Sequence, residues 1–194
     1  MNSDGISMTL TFDAHLPLLG IAAWSGTGKT TLLEALLPRL QAHGIRAAVV
    51  KHAHHAFDID QPGKDSYRLR EAGATPMLIA SRSRTALMIN TPGDAEPDLS
   101  QLLAQLAPLA PDLVLVEGFK AWPLPKLELH RAALGKPLLA TDDPWIRAVA
   151  SPDVLDLPAG VESLDLDDHQ RLSNWVVAWQ QSWPQQARPR EMPA

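Results

Sequence analysis

A chain of 194 residues with 45% hydrophobic content can bury a full core in one domain, and nothing in its length asks for a second. The 22 acidic residues outnumber the 17 basic ones for a formal charge of -5, which argues against a broad phosphate-neutralising surface for DNA or RNA, so any bound anion must be held locally. Without cysteine there is no disulfide, thiolate metal site or redox pair, a composition that suits the cytoplasm.

Residues 1–15 read as a tail, and no Lys or Arg precedes Lys29, so the positive region of a secretory signal is not expected. Residues 16–23 (LPLLGIAA) form a short apolar run of the kind buried on both faces of a parallel sheet, and the apolar stretch to Ser25 is about half of the ~20 residues a membrane span needs. Leu32, Leu33, Leu36, Leu37 and Leu40 then recur at helical spacing until Gly44, and residues 45–51 (IRAAVVK) give a second strand, completing a βαβ unit. A helix is predicted over 64–72, bounded by Pro62 and Gly63 before it and Gly73 after it. Short strands over 77–80 and 85–90 pair as a hairpin-like antiparallel edge.

A helix over 99–109 leads into the strand 112–117 (DLVLVE), and further strands are predicted over 126–130 and 146–150. The last helix spans about 167–183, with Trp175, Trp179 and Trp183 on one stripe that serves core or dimer packing. Residues 185–194 read as a second tail, leaving 16–184 as one α/β domain: a mostly parallel sheet flanked by helices, with a small antiparallel edge.

Ala23-Trp24-Ser25-Gly26-Thr27-Gly28-Lys29-Thr30 fits the G-x-x-x-x-G-K-[ST] P-loop at every fixed position but the first, where Ala replaces Gly. The spacing has a physical reason: Gly26 and Gly28 let backbone N–H groups turn inward as a phosphate nest at a helix N-terminus. Lys29 adds a point charge to the outer phosphates, and the Thr30 hydroxyl is placed to ligate a bridging Mg²⁺. Ala23 matters only if its position needs a positive φ, and tolerance is expected. The strand ending at Glu117-Gly118 resembles a Walker B strand with Glu for Asp, able to act on Mg²⁺ or on the attacking nucleophile, although a strand ending in Glu-Gly is also common without function.

Lys51-His52-Ala53-His54-His55 with Asp58 and Asp60 lies just beyond the second strand. It admits three readings: a transition-metal site, a solvated loop, or a loop approaching the phosphates or a partner's substrate. Asp65 either stabilises the start of its helix through the macrodipole or faces the nucleotide. Trp24 should stand near solvent and close to the nucleotide.

Taken together, the segments from Ala22 to Thr31, Lys51-His52, Pro62-Gly63-Lys64-Asp65-Ser66 and Glu117-Gly118-Phe119-Lys120 resemble the MobB family of molybdopterin-guanine dinucleotide biosynthesis proteins. The resemblance runs over about residues 16–183. It implies a P-loop NTPase-like fold and a cytoplasmic GTP-binding adaptor with weak GTPase activity and Mg²⁺ as cofactor. The implied role is assistance when GMP is attached to molybdenum-bound molybdopterin by a MobA-type guanylyltransferase. It also implies a homodimer, joined through the strands around residues 77–90, with no nucleic acid or membrane partner. The nucleotide-binding residues implied are Ser25, Gly26, Thr27, Gly28, Lys29, Thr30, Thr31, Lys51, His52 and Asp65, with Lys29 and Glu117 catalytic and Thr30 and Glu117 on the metal. Guanine specificity rests on the resemblance alone, because no asparagine is followed by lysine as in Asn-Lys-x-Asp. Asp153, after the strand 146–150, is a candidate base contact. Competing readings are a small-molecule kinase, short of lid arginines between residues 117 and 140 except Arg131, and a GTP-gated metal-delivery protein using His52, His54 and His55.

Overall fold

The computed structural model describes residues 16–53, 57–91, 93 and 96–183; both tails and His54 and His55 lie outside the described residues. The chain forms two compact units, the smaller being Ala53–Pro97.

The larger unit is built on a six-stranded sheet: β1 (Leu18–Ala23), β2 (Ala47–Lys51), β5 (Leu113–Glu117), β6 (Lys126–Leu129), β7 (Ile146–Ala150) and β8 (Glu162–Leu164). Its order is β2-β5-β1-β6-β7-β8, and every neighbouring pair is parallel. β1 is buried along its whole length in the centre, as its unbroken apolar run requires. Alternation sorts its side chains between two cores. Leu19, Ile21 and Ala23 face α1 (Lys29–Ala42) and α4 (His169–Gln181), while Leu18 joins Val114, Val116, Phe119 and the first turns of α3 (Leu99–Leu106). Gly20 lacks the Cβ that would stand 2.8 Å from Leu124 and 2.9 Å from Lys126, so the segment entering β6 packs directly on β1.

The predicted helices are present with shorter ends. α3 stops at Leu106 and continues as one 3₁₀ turn, Ala107–Leu109, and Asp98 caps its start by accepting from the Ser100 N–H at 2.8 Å. Asp168 caps α4 through the Arg171 N–H. The tryptophan stripe packs inward: the Trp175 and Trp179 rings stack at 5.5 Å, and the buried Trp179 indole N–H donates to the Leu18 carbonyl. β8, three residues long at the sheet edge, was not predicted, because so short a strand carries too little periodicity.

In the smaller unit, α2 (Asp65–Glu71) precedes the hairpin of β3 (Met77–Ala80) and β4 (Thr85–Met88). The hairpin is antiparallel as predicted and forms a separate two-stranded sheet rather than an edge of the main one. The α2 helix is tied down by Asp60, which accepts from the Ser66 hydroxyl and from Arg70, and by Asp58, which pairs with Arg70 at 2.7 Å. Among the described residues no helix is long and apolar enough to cross a membrane.

Candidate functional site

The predicted P-loop lies between the end of β1 at Ala23 and the start of α1 at Lys29. Gly26 and Gly28 have φ of +83° and +106°, and a Cβ on either would meet no atom within 4 Å, so the requirement for glycine is conformational. Ala23 ends the strand fully buried, outside the positive-φ positions, which explains why a Cβ is tolerated there. α1 begins with Gly28 as its N-cap, without a side-chain cap and without an acidic residue in its first turn. Its first N–H groups and positive dipole end are therefore left for an external anion.

Each predicted side chain has a definite place. Lys29 lies back over the loop, its ammonium 3.4 Å from the Ala23 carbonyl and 3.5 Å from that of Trp24. Burial lowers its pKa; Glu117 opposes that, while the Lys120 and Lys51 charges add to it. Ser25, Thr30 and Thr31 are exposed. Thr27 is buried, and its hydroxyl donates to the Trp24 carbonyl at 2.8 Å, so the side chain closes the loop and only its backbone is available to a ligand.

Parallel pairing brings Lys51 of β2 level with Glu117 of β5, and Glu117 level with Ile21 of β1. The Lys51 ammonium stands 3.7 Å from the Glu117 carboxylate. The Lys-His and Glu-Gly-Phe segments interlock. The His52 N–H donates to the Glu117 carbonyl at 2.9 Å, the His52 ring lies 5.1 Å from that of Phe119, and a Cβ on Gly118 (φ +96°) would stand 2.8 Å from the His52 Cβ. Lys29, Lys51, His52 and Glu117 thus share the carboxyl-terminal edge of the sheet, where parallel α/β sheets bind ligands. Asp65 belongs to the smaller unit, where it is exposed at the first position of α2 and 4.0 Å from Arg68. Asp58 and Asp60 are engaged by Arg70, and no group of three or more potential ligands able to hold a metal ion occurs among the described residues.

Several interactions were not legible beforehand. The Trp24 indole N–H donates to the Pro137 carbonyl at 2.8 Å, and the Lys120 and Lys136 ammoniums lie 4.8 and 5.8 Å from its ring centroid. Arg131 donates to the Thr27 carbonyl at 3.1 Å and approaches Asp167, so it braces the loop from behind instead of serving as a lid. Asp153 accepts from the Ala132 N–H, tying the segment after β7 to the segment after β6. On β6 and at the residue after it, Lys126, Glu128 and His130 alternate with Leu127 and Leu129 and are buried; a period-two polar pattern inside a sheet was the available signal.

Comparison with known proteins agrees with this geometry. The family model for molybdopterin guanine dinucleotide synthesis protein B, MobB, matches residues 18–152. A molybdopterin-guanine dinucleotide biosynthesis adapter protein of Escherichia coli is 47% identical over 86% of this chain and 94% of its own. The protein of the same description from Haemophilus influenzae is 42% identical over 85% and 90%. The crystal structure of a MobB homolog from Bacillus stearothermophilus superposes with a TM-score of 0.63 at 26% identity, covering 85% of this chain and 98% of that one. With the P-loop, the interlocked Lys-His and Glu-Gly-Phe segments and the parallel sheet in place, the chain belongs to the MobB family.

Proposed function

We propose that the protein is a cytoplasmic GTP-binding adapter with weak GTPase activity that works in molybdopterin guanine dinucleotide formation beside a MobA-type guanylyltransferase. The observation that carries the reading is the glycine-built cradle at an uncapped helix start, with Lys29, Lys51 and Glu117 on the same sheet edge, in a chain of this family. The backbone N–H groups at the start of α1 receive the β- and γ-phosphates, and Lys29 swings from the Ala23 and Trp24 carbonyls onto the outer phosphate. Thr30 and Glu117 offer a hydroxyl and a carboxylate, the hard oxygen donors that suit Mg²⁺. When bound, that ion neutralises charge on the phosphates. Glu117 also orients the attacking water, and Lys51, 3.7 Å away, keeps the carboxylate aimed. A cradle of this kind with weak turnover suits an adapter that presents a nucleotide to a partner enzyme. Dimerisation runs through the hairpin of the smaller unit.

The test is titration with GTP and with ATP, each with Mg²⁺, following tryptophan fluorescence against a Trp24→Phe control. The Lys120 and Lys136 charges beside the Trp24 ring make it a reporter of phosphate arrival. Selective GTP binding is expected. Preference for ATP, or equal affinity, would transfer the reading to a P-loop kinase.

A further inference from the structure

Beside the cradle, within the larger unit, lies a cavity of about 640 Å³ bordered by Trp24, Lys120, Trp122, Lys126, Asp143 and Trp145. Its size falls within the about 300–1,000 Å³ typical of small-molecule sites. The cavity starts at the loop after β1, follows the segment between β5 and β6, and reaches the residues just before β7, so it runs down the face of the sheet from the carboxyl-terminal edge. On the adapter reading, a nucleotide in the cradle has its base at the carboxyl-terminal edge, where parallel α/β sheets bind ligands; Arg131 and Asp153, just past β6 and β7 at that edge, do not line the cavity. The space therefore suits a second molecule.

Its walls define the chemistry. Three indoles give flat apolar surfaces for a planar heteroaromatic ring. Trp24 is fixed by its bond to the Pro137 carbonyl, and Trp122 packs edge-on to Phe119 at 6.3 Å, so these walls are set before a ligand arrives. The buried Lys126 ammonium, 2.9 Å from Asp143, presents a donor beside an acceptor, and Asp143 is held in turn by the Trp145 N–H. That pair matches the donor and acceptor edge of a nitrogen heterocycle. Exposed Lys120, at the Trp24 end, offers charge to an anionic arm next to the phosphate cradle.

We propose that the cavity beside Trp24 seats the second reactant, a planar pterin-type heterocycle whose phosphate arm reaches Lys120 at the rim of the cradle. The proposal rests on the adapter reading above, and adds that one chain holds both halves of the dinucleotide side by side.

The experiment is calorimetric titration of the full chain with D-neopterin 3′-monophosphate, a pterin carrying a phosphate arm, with GTP titrated separately. Saturable binding of one molecule per chain is expected. Trp122→Ala and Lys120→Gln should each weaken it at least tenfold, Trp122→Phe should restore it, and Lys29→Ala should keep it while abolishing GTP binding. Because Trp122 also packs in the core, the exposed Lys120 supplies the independent variant. Absence of binding, binding indifferent to both cavity variants, or loss on Lys29→Ala with both cavity variants still binding would overturn the proposal. If the pterin binds as described and GTP does not, the cavity stands and the nucleotide reading fails.

Discussion

The Lys29 ammonium is partly desolvated and shares its surroundings with the charges of Lys51 and Lys120, with Glu117 opposing them. Such a cluster of positive charge is costly without an anion and favourable with one, so on the proposed reading the same residue is a small burden on the fold and a main contributor to binding. Lys29→Ala should weaken GTP by about 10- to 150-fold for each charge-assisted hydrogen bond it removes, from about 1.5–3 kcal/mol apiece, with thermal stability unchanged or slightly raised. Unaltered affinity in a titration would mean that the phosphates sit elsewhere. Glu117→Gln keeps the shape of the side chain beside Lys51 but removes the charge. It should keep GTP affinity within a few-fold and slow phosphate release at least tenfold, since positioned acid–base groups contribute about 10²–10⁴. Equal turnover in the variant would leave Glu117 a purely structural strand end.

At the scale of elements, α2 has seven residues, too few to persist on its own helical propensity. Its attachment is electrostatic. Backbone N–H donation from Asp60, then Arg70, lowers the pKa of Asp58; burial pushes Asp60 up, but Ser66, the Gln61 N–H and Arg70 outweigh it and leave it low. A carboxylate whose folded pKa is depressed contributes stability that is complete above its unfolded value and is lost as pH falls through the folded one. Hydrogen exchange of the α2 amides should therefore quicken as pH drops below about 4, at the unfolded carboxylate value, after correction for intrinsic rates. Arg70→Ala should already show fast exchange at pH 7, and protection that persists in that variant would assign the anchoring to other groups.

On β6, the fully buried Glu128 accepts from the Leu139 and Ala140 N–H groups at 2.8 Å each. Burial raises its pKa and those two bonds counter the rise. Glu128→Ala would orphan both donors at about 1–3 kcal/mol each, a destabilisation that chemical denaturation measures directly.

How legible was this in the sequence? The P-loop, α1 and the apolar strands were, because glycine placement, heptad-like leucines and unbroken Val/Leu runs each have a single economical structure. The β6 ladder was not, because Glu128 and Lys126 are satisfied by a 3₁₀ turn and an aspartate more than ten residues away in sequence. The period-two polar alternation was there to read, but the distant partners that satisfy it leave no local trace. The same holds for Arg131 and Pro137, which brace the P-loop from segments more than a hundred residues downstream.

For the whole molecule, the smaller unit raises a question of partnership. A two-stranded hairpin is marginal alone in water, and its strands leave unpaired edges. Here Leu78 and Leu87 are directly opposed in register, yet 62% and 53% exposed, and Ile89 beyond β4 is 48% exposed. An apolar cross-strand pair on an open hairpin is a surface that another chain can cover, and a second copy supplies a self-complementary one with the two-fold symmetry common to small dimers. Leu78→Asp with Leu87→Asp places like charges opposite each other on that face and should shift the protein from dimer to monomer. Sedimentation velocity over a hundredfold concentration range measures the change, while GTP titration reports on the cradle, which lies in the other unit. A wild-type chain that sediments as a monomer throughout would remove the dimer. A variant that remains dimeric would move the interface away from the hairpin, and a monomeric variant with intact GTP affinity would show that assembly and phosphate binding are carried by separate units of the same chain.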